Sequence, residues 1–218
     1  MIIPDIITGI RKELPPTTKL VAVSKFKPVE DIMEAYKAGQ REFGENRPQE
    51  LQQKMQILPA DIKWHFIGHL QSNKIKMIID NVYLIQSVDS LHLAEEINKV
   101  AGSRSVVKDC LLQMHIAIEE TKQGFSESEL YESIDQLIAL KNLRICGLMG
   151  MASYVSETGQ IKNEFKTLKD NFQILKRKYF PNSEYFKELS MGMSNDYKIA
   201  VEMGSTIVRI GSGIFGSR

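Results

Sequence analysis

Leu20-Val21-Ala22-Val23-Ser24-Lys25 is an apolar run that ends in a lysine. The run from Leu20 to Val23 reads as a buried strand, and Pro28 is placed to open a helix at its first turn, so Lys25 falls at a strand's C-terminal end. Ligands gather at that edge in parallel α/β folds, and a lysine partly shielded from water loses its proton more easily and attacks a carbonyl. Taken alone, the stretch describes an ordinary solvated lysine. What raises Lys25 above that lies downstream. Asn46, His65 or His69, Met151, the run Ser190-Met191-Gly192-Met193-Ser194 and the run Arg209-Ile210-Gly211-Ser212-Gly213 fall at other strand ends. The last two runs belong to the units where barrels often hold a phosphate with backbone amides and hydroxyls. Ser194 suits a helix cap, and Gly192, Gly211 and Gly213 let the backbone approach an anion, although glycines by themselves also simply make tight turns.

These residues need a scaffold that repeats. Ile3, Ile6, Ile7 and Ile10 predict a helix over Ile2 to Leu14, ended by Pro15-Pro16. Val29 to Ala38 predicts the next, stopped by Gly39. Strands are predicted at Glu42 to Glu45, Lys63 to Gly68, Val82 to Val88, Asp109 to Ala117, Leu143 to Met151, Glu188 to Ser190 and Thr206 to Ile210. Between them lie helices at Pro48 to Met55, Ser72 to Ile79, one capped by Asp89 or Ser90 and running to Val100, Ser126 to Leu140, Gly159 to Lys178 and Asn195 to Met203. Strands alternating with helices imply parallel crossovers, and eight units predict an α/β fold, a (β/α)8 TIM barrel. The alternative, an open doubly wound sheet, is disfavoured because no dinucleotide-type glycine fingerprint follows the first strand.

The composition narrows the functions. At 218 residues and 43% hydrophobic content, one domain over residues 1–218 is expected. The net charge of +1, 28 Lys+Arg against 27 Asp+Glu, excludes a strong field toward nucleic acid or an anionic membrane. Cys110 and Cys146 lack metal-ligand or redox-pair spacing and read as buried thiols in a reducing cytoplasm. The N-terminus shows no secretion signal, and no uncharged apolar run approaches the roughly 18–20 residues that cross a bilayer. A cytoplasmic protein is expected.

Ala22-Val23-Ser24-Lys25, Phe43-Gly44-Glu45-Asn46, Trp64-His65-Phe66-Ile67-Gly68 with Leu70-Gln71-Ser72-Asn73-Lys74, Gly147-Leu148-Met149, Leu189-Ser190-Met191-Gly192-Met193-Ser194 with Asp196, and Val208-Arg209-Ile210-Gly211 with Ile214-Phe215-Gly216 occur in order over nearly the whole chain. This set resembles the YggS/PROSC family of pyridoxal-5'-phosphate-binding homeostasis proteins. The resemblance implies a barrel like the N-terminal domain of alanine racemase, holding pyridoxal 5'-phosphate as a Schiff base on Lys25. It further implies that Ser190, Ser194, Gly211 and Ser212 hold the phosphate, that Arg209 faces the pyridine nitrogen, that Asn46 lines the cofactor, and that Met191 belongs to the cofactor-binding set. No catalytic residue and no metal ligand is assigned. The family commonly reads Asn-Tyr-Val-Gln-Glu where this chain has Asn46-Arg47-Pro48-Gln49-Glu50, and often Gly-Pro-Leu-Gln where it has Gly68-His69-Leu70-Gln71. His69 therefore reads as a solvated loop histidine.

Arg209 against the ring nitrogen would disfavour its protonation and mute carbanion chemistry. The sequence closing at Arg218 predicts that the second domain carrying the opposing base of alanine racemases is missing. The leading expectation is a protein that stores, buffers or delivers pyridoxal phosphate, with dependent apo-enzymes as candidate recipients. A racemase-type enzyme of weak activity is the alternative, and a phosphate-binding barrel without cofactor is a third.

Overall fold

The computed structural model describes residues 2–119 and 121–216. Arg218, on which the expectation of a missing second domain rests, lies outside them. Strands β1 (Lys19–Val23), β2 (Glu42–Glu45), β3 (Lys63–Phe66), β4 (Leu84–Val88), β5 (Lys108–Met114), β6 (Leu143–Gly150), β7 (Glu188–Ser190) and β8 (Ile207–Ile210) close a barrel in sequence order. All neighbouring pairs are parallel, β8 with β1 included, so every connection must cross over. After α1 (Ile3–Glu13), the crossovers carry α2 (Val29–Lys37), α3 (Pro48–Ile57), α4 (Ile75–Ile78), α5 (Leu91–Ser103), α6 (Glu127–Ile138), α7 (Thr158–Lys178) and α8 (Tyr197–Glu202); α9 (Ser212–Phe215) follows β8. The expected (β/α)8 barrel is the observed fold. Of the two cap candidates before α5, Ser90 does the work, its Oγ accepting the Leu93 N–H at 3.3 Å.

Most element ends shift by one or two residues from expectation, and two segments differ by more than that. The segment from Ser72 forms a 3-10 turn over Ser72–Lys74 before the short α4. β5 stops at Met114 because the following loop folds back: Phe125 bridges to Met114, and the His115 N–H donates to the Phe125 carbonyl at 2.9 Å.

Alternation along the strands sorts the core into two layers. Val21, Leu84, Leu111, Cys146, Met149 and Ile207 pack together inside the barrel. Leu20, Ala22, Trp64, Phe66, Ile85, Leu112, Leu189 and Val208 point outward into the larger core beneath the helices. Both cysteines are buried and free, and burial pushes the Cys146 thiol up to about 12. A bulge breaks the register where Cys110 pairs with Ile145 but Leu111 with Gly147. Gly147 sits at φ +151°, and a Cβ there would lie 1.8 Å from the Glu188 carbonyl oxygen, so only glycine lets β6 and β7 approach.

α6 opens with a reciprocal cap: Ser126 Oγ accepts the Glu129 N–H at 3.2 Å and the Glu129 carboxylate accepts the Ser126 N–H at 2.8 Å. Ser126→Ala is expected to lower stability by about 1 kcal/mol in urea denaturation. An unchanged midpoint would mean that solvent caps this end equally well.

Candidate functional site

A cavity of about 530 Å³ opens at the face where the strands end. Lys25, Asn46, Ser194, Arg209, Gly211 and Ser212 all line it, together with Val23, Met151 and Met193. Ser190 and Met191 do not belong to that wall. β7 is three residues long, and its alternation turns Ser190 into the barrel one layer below the mouth and Met191 outward into the core under the helices. Ser190 thus supports the site from beneath, where a direct contact was expected.

Lys25 emerges as strand alternation requires. Val21 faces the barrel interior and Val23 and Lys25 reach the cavity, with Lys25 exposed and making no hydrogen bond or ion pair among the described residues. The turn that presents it is strained. The Lys27 N–H donates to the Ser24 carbonyl at 3.0 Å, closing a turn in which Phe26 lies at φ 63°, a region that disfavours a residue with a Cβ by about 1–2 kcal/mol. A buried charge cluster holds it there. The Lys54 ammonium on α3 donates to the Ser24 carbonyl at 2.8 Å, to Glu45 at 2.8 Å and to Glu50 at 2.7 Å. Glu50 also accepts the Phe26 N–H at 2.7 Å, and Glu45 accepts the Ser24 hydroxyl at 2.6 Å. Burial, countered by Lys54, raises the Glu45 carboxyl above its ordinary range. The departure at Arg47 has a place in the same cluster, its guanidinium stacking 4.6 Å from the Phe26 ring centroid.

The loops after β7 and β8 are tied to each other. Ser194 is not the cap of α8, because Asp196 stands at that position and accepts the Met193 N–H at 2.5 Å. The Ser194 hydroxyl instead accepts the N–H groups of Gly211 at 3.3 Å and Gly213 at 3.2 Å. Gly192 makes the approach possible: its φ is +97°, and a Cβ there would meet Ala200 at 2.6 Å. The result is a rim of small residues with the Ser194 and Ser212 hydroxyls on it.

Arg209 rises from β8 inside the barrel, 4% exposed. It donates to Ser190 Oγ at 2.5 Å and to the Gly150 carbonyl at 2.9 Å. Burial lowers its pKa to about 10, partly offset by the charge of Asp196, so it stays a cation at neutral pH. On the far wall the Lys122 ammonium donates to the Ala152 carbonyl at 2.6 Å and pairs with Glu119 at 3.2 Å, binding the loop after β5 to the loop after β6. His69 is half exposed and pairs with Asp89 at 3.1 Å, the solvated position expected of it. Among the described residues no group of three or more His, Cys, Asp or Glu side chains could hold a metal ion, and no helix is long and apolar enough to cross a membrane.

Sequence reasoning missed Gln86, Glu50 and Lys54 as site residues and gave Glu45 no role. The available signal was a polar residue inside an apolar stripe: Gln86 in the run from Val82 to Val88, and Lys54 one turn past Leu51 on the buried face of α3.

The sequence matches the family model described as "Alanine racemase, N-terminal domain" over residues 7–218. It is 40% identical over 220 residues to the "Pyridoxal phosphate homeostasis protein" of Synechocystis sp., covering 100% of both chains. The structure superposes on that of PipY of Synechococcus elongatus PCC7942 with PLP bound, at TM-score 0.89 and 36% identity, over 98% of this chain and 100% of that one. Alanine racemase of Clostridium difficile 630 shares the fold at TM-score 0.74 and 18% identity, over 99% of this chain and 56% of the racemase. With a barrel of this topology and a match of this extent, the chain belongs to the alanine racemase N-terminal domain family, in its branch of pyridoxal phosphate homeostasis proteins.

Proposed function

We propose that this chain is a single barrel domain that binds pyridoxal 5'-phosphate at the mouth, anchored covalently on Lys25, and serves its homeostasis in the cytoplasm by storage, buffering or delivery to dependent apo-enzymes. The observation that carries the reading is one cavity shared by three complementary features. They are an exposed lysine, a buried guanidinium, and the buried oxygen Asn46 Oδ1, with neither the lysine ammonium nor that oxygen finding a hydrogen-bond partner among the described residues. A cavity of about 530 Å³ is within the size of small-cofactor pockets. The donor set also suits the group: hydroxyls of Ser194 and Ser212 beside small glycines for a phosphate, a primary amine for an aldehyde, and a guanidinium that remains charged. The PLP-bound PipY structure and the names of the curated relatives support it.

When bound, the cofactor supplies an aldehyde that condenses with a primary amine and a ring that withdraws electrons best when its nitrogen is protonated. Lys25 would hold it, Ser194, Gly211 and Ser212 would orient the phosphate, and Arg209 would keep a positive charge where ring protonation would otherwise occur. Such a site favours binding over turnover. The purified protein should take up pyridoxal phosphate with a visible imine band, and should convert no member of a panel of D- and L-amino acids at the ordinary enzyme rate of roughly 1 per second or above. Turnover at that rate would promote the racemase-type alternative, and absence of uptake would leave only a phosphate-binding barrel.

A further inference from the structure

Beside the apolar cluster inside the barrel, four buried polar side chains meet. His65 from β3, Gln86 from β4, Ser190 from β7 and Arg209 from β8 are each at most 4% exposed. They form one chain: Arg209 Nη1 to Ser190 Oγ at 2.5 Å, Ser190 Oγ to Gln86 Oε1 at 2.6 Å, Gln86 Nε2 to His65 Nδ1 at 2.8 Å.

The donors and acceptors in this chain run one way when the Ser190 proton is used within it. A guanidinium donates and never accepts, so Ser190 must accept from Arg209 and spend its single proton on the Gln86 carbonyl oxygen. That fixes the Gln86 amide with its NH2 toward His65. The imidazole must then present a bare Nδ1 and carry its proton on Nε2, as a neutral ring. Burial agrees, pushing the His65 pKa down to about 3. With Nη1 held by Ser190 and Nη2 by Gly150, the guanidinium plane is locked and the remaining N–H groups are left for the cavity that Arg209 lines.

We propose that Gln86 and His65, which do not line the cavity, are positioning residues that act through Ser190 to fix the orientation of Arg209 and thereby tune the ring of the bound cofactor. The proposal rests on the pyridoxal phosphate reading above. Interior positions of a barrel are more readily filled by apolar side chains, and this polar chain stays open at its far end, where the buried His65 Nε2 has no hydrogen-bond partner among the described residues. Here three neutral links end on one cation.

The test has two arms. In the cofactor-free protein, 15N NMR of the histidine ring should show His65 with Nδ1 unprotonated and Nε2 protonated. In Gln86→Glu the carboxylate can only accept, so His65 Nδ1 must gain a proton. A parent protein with the proton on Nδ1 would overturn the chain as drawn. In the second arm, Gln86→Met should weaken cofactor uptake roughly tenfold, from a freed charged hydrogen bond, and displace the pH dependence of the bound cofactor's absorption. Ser190→Ala should do the same, and serves if Gln86→Met does not fold. Cys146→Ala, in the apolar cluster, should change stability but leave the spectrum where it was. Uptake with an unmoved spectrum in both relay variants would overturn the positioning role alone, whereas no uptake by the parent protein would overturn the functional reading and the purpose of the relay with it.

Discussion

Replacing Lys25 with alanine is expected to abolish the pyridoxyl adduct that borohydride fixes on the protein, and Lys27→Ala to leave it in place. Three lysines line the cavity, and their surroundings differ. The Lys27 ammonium donates to the carbonyls of Phe215 at 2.9 Å and Gly216 at 3.1 Å, and Lys122 is held by Ala152 and Glu119. A lysine whose N–H groups are tied to carbonyl oxygens or a carboxylate must break those hydrogen bonds before its nitrogen can reach an aldehyde. Lys25 has no such partner among the described residues. Peptide mapping after reduction should therefore find the adduct on Lys25 and drop to background in Lys25→Ala. An adduct solely on Lys27 or Lys122 of the parent protein would overturn the assignment. Weaker uptake without an adduct should persist in Lys25→Ala, because the Ser194, Gly211 and Ser212 rim does not depend on the lysine.

Lys25 was legible in the sequence for the reason that the barrel was. β1 is an uninterrupted run whose period of two carries from Val21 through Val23 to the lysine, and eight such runs alternating with amphipathic helices leave few other topologies. Arg209 was legible for the same reason, on β8. Ser190 and Met191 lie outside the cavity wall, a placement hidden in the sequence because a three-residue strand offers too little pattern to tell the mouth from the layer beneath it. Ser194 looked like a helix cap because local sequence shows only the nearer helix, while its two partners, Gly211 and Gly213, lie on the next unit. Gln86 and Lys54 were hidden by the general rule that polar residues face water. In each case the partner that makes burial tolerable is distant in sequence: Ser190 stands 104 residues from Gln86, and the Ser24 carbonyl 30 residues from Lys54.

Lys54→Met should destabilise the protein by about 3–5 kcal/mol at neutral pH, the range for removing one partner of a buried ion pair. Glu45 is fully buried with one carboxylate oxygen already unpartnered, and Lys54 is the cation that faces it and Glu50 together. Methionine keeps the length and apolar stem of the side chain but leaves two carboxylates confronting each other and takes from the Ser24 carbonyl one of its two hydrogen bonds, the Lys27 N–H remaining. The pH dependence separates charge from packing. Burial raises the Glu45 pKa in the folded protein above its ordinary value, so Glu45 favours the folded state most while protonated, at low pH, and that contribution is lost as pH rises through the folded-state pKa. Without Lys54 to oppose burial the pKa rises further, and stability must fall more steeply with pH. Urea denaturation from pH 4 to pH 8 should show parent and variant converging at the acid end and separating toward neutrality. A gap that stays constant over that range would assign the loss to packing and to the hydrogen bond on the Ser24 carbonyl instead of the pairing with Glu45. Because the same ammonium holds the Ser24 carbonyl, and Glu50 the Phe26 N–H, the strained turn under Lys25 relaxes in the variant, and cofactor uptake should weaken even where the protein remains folded.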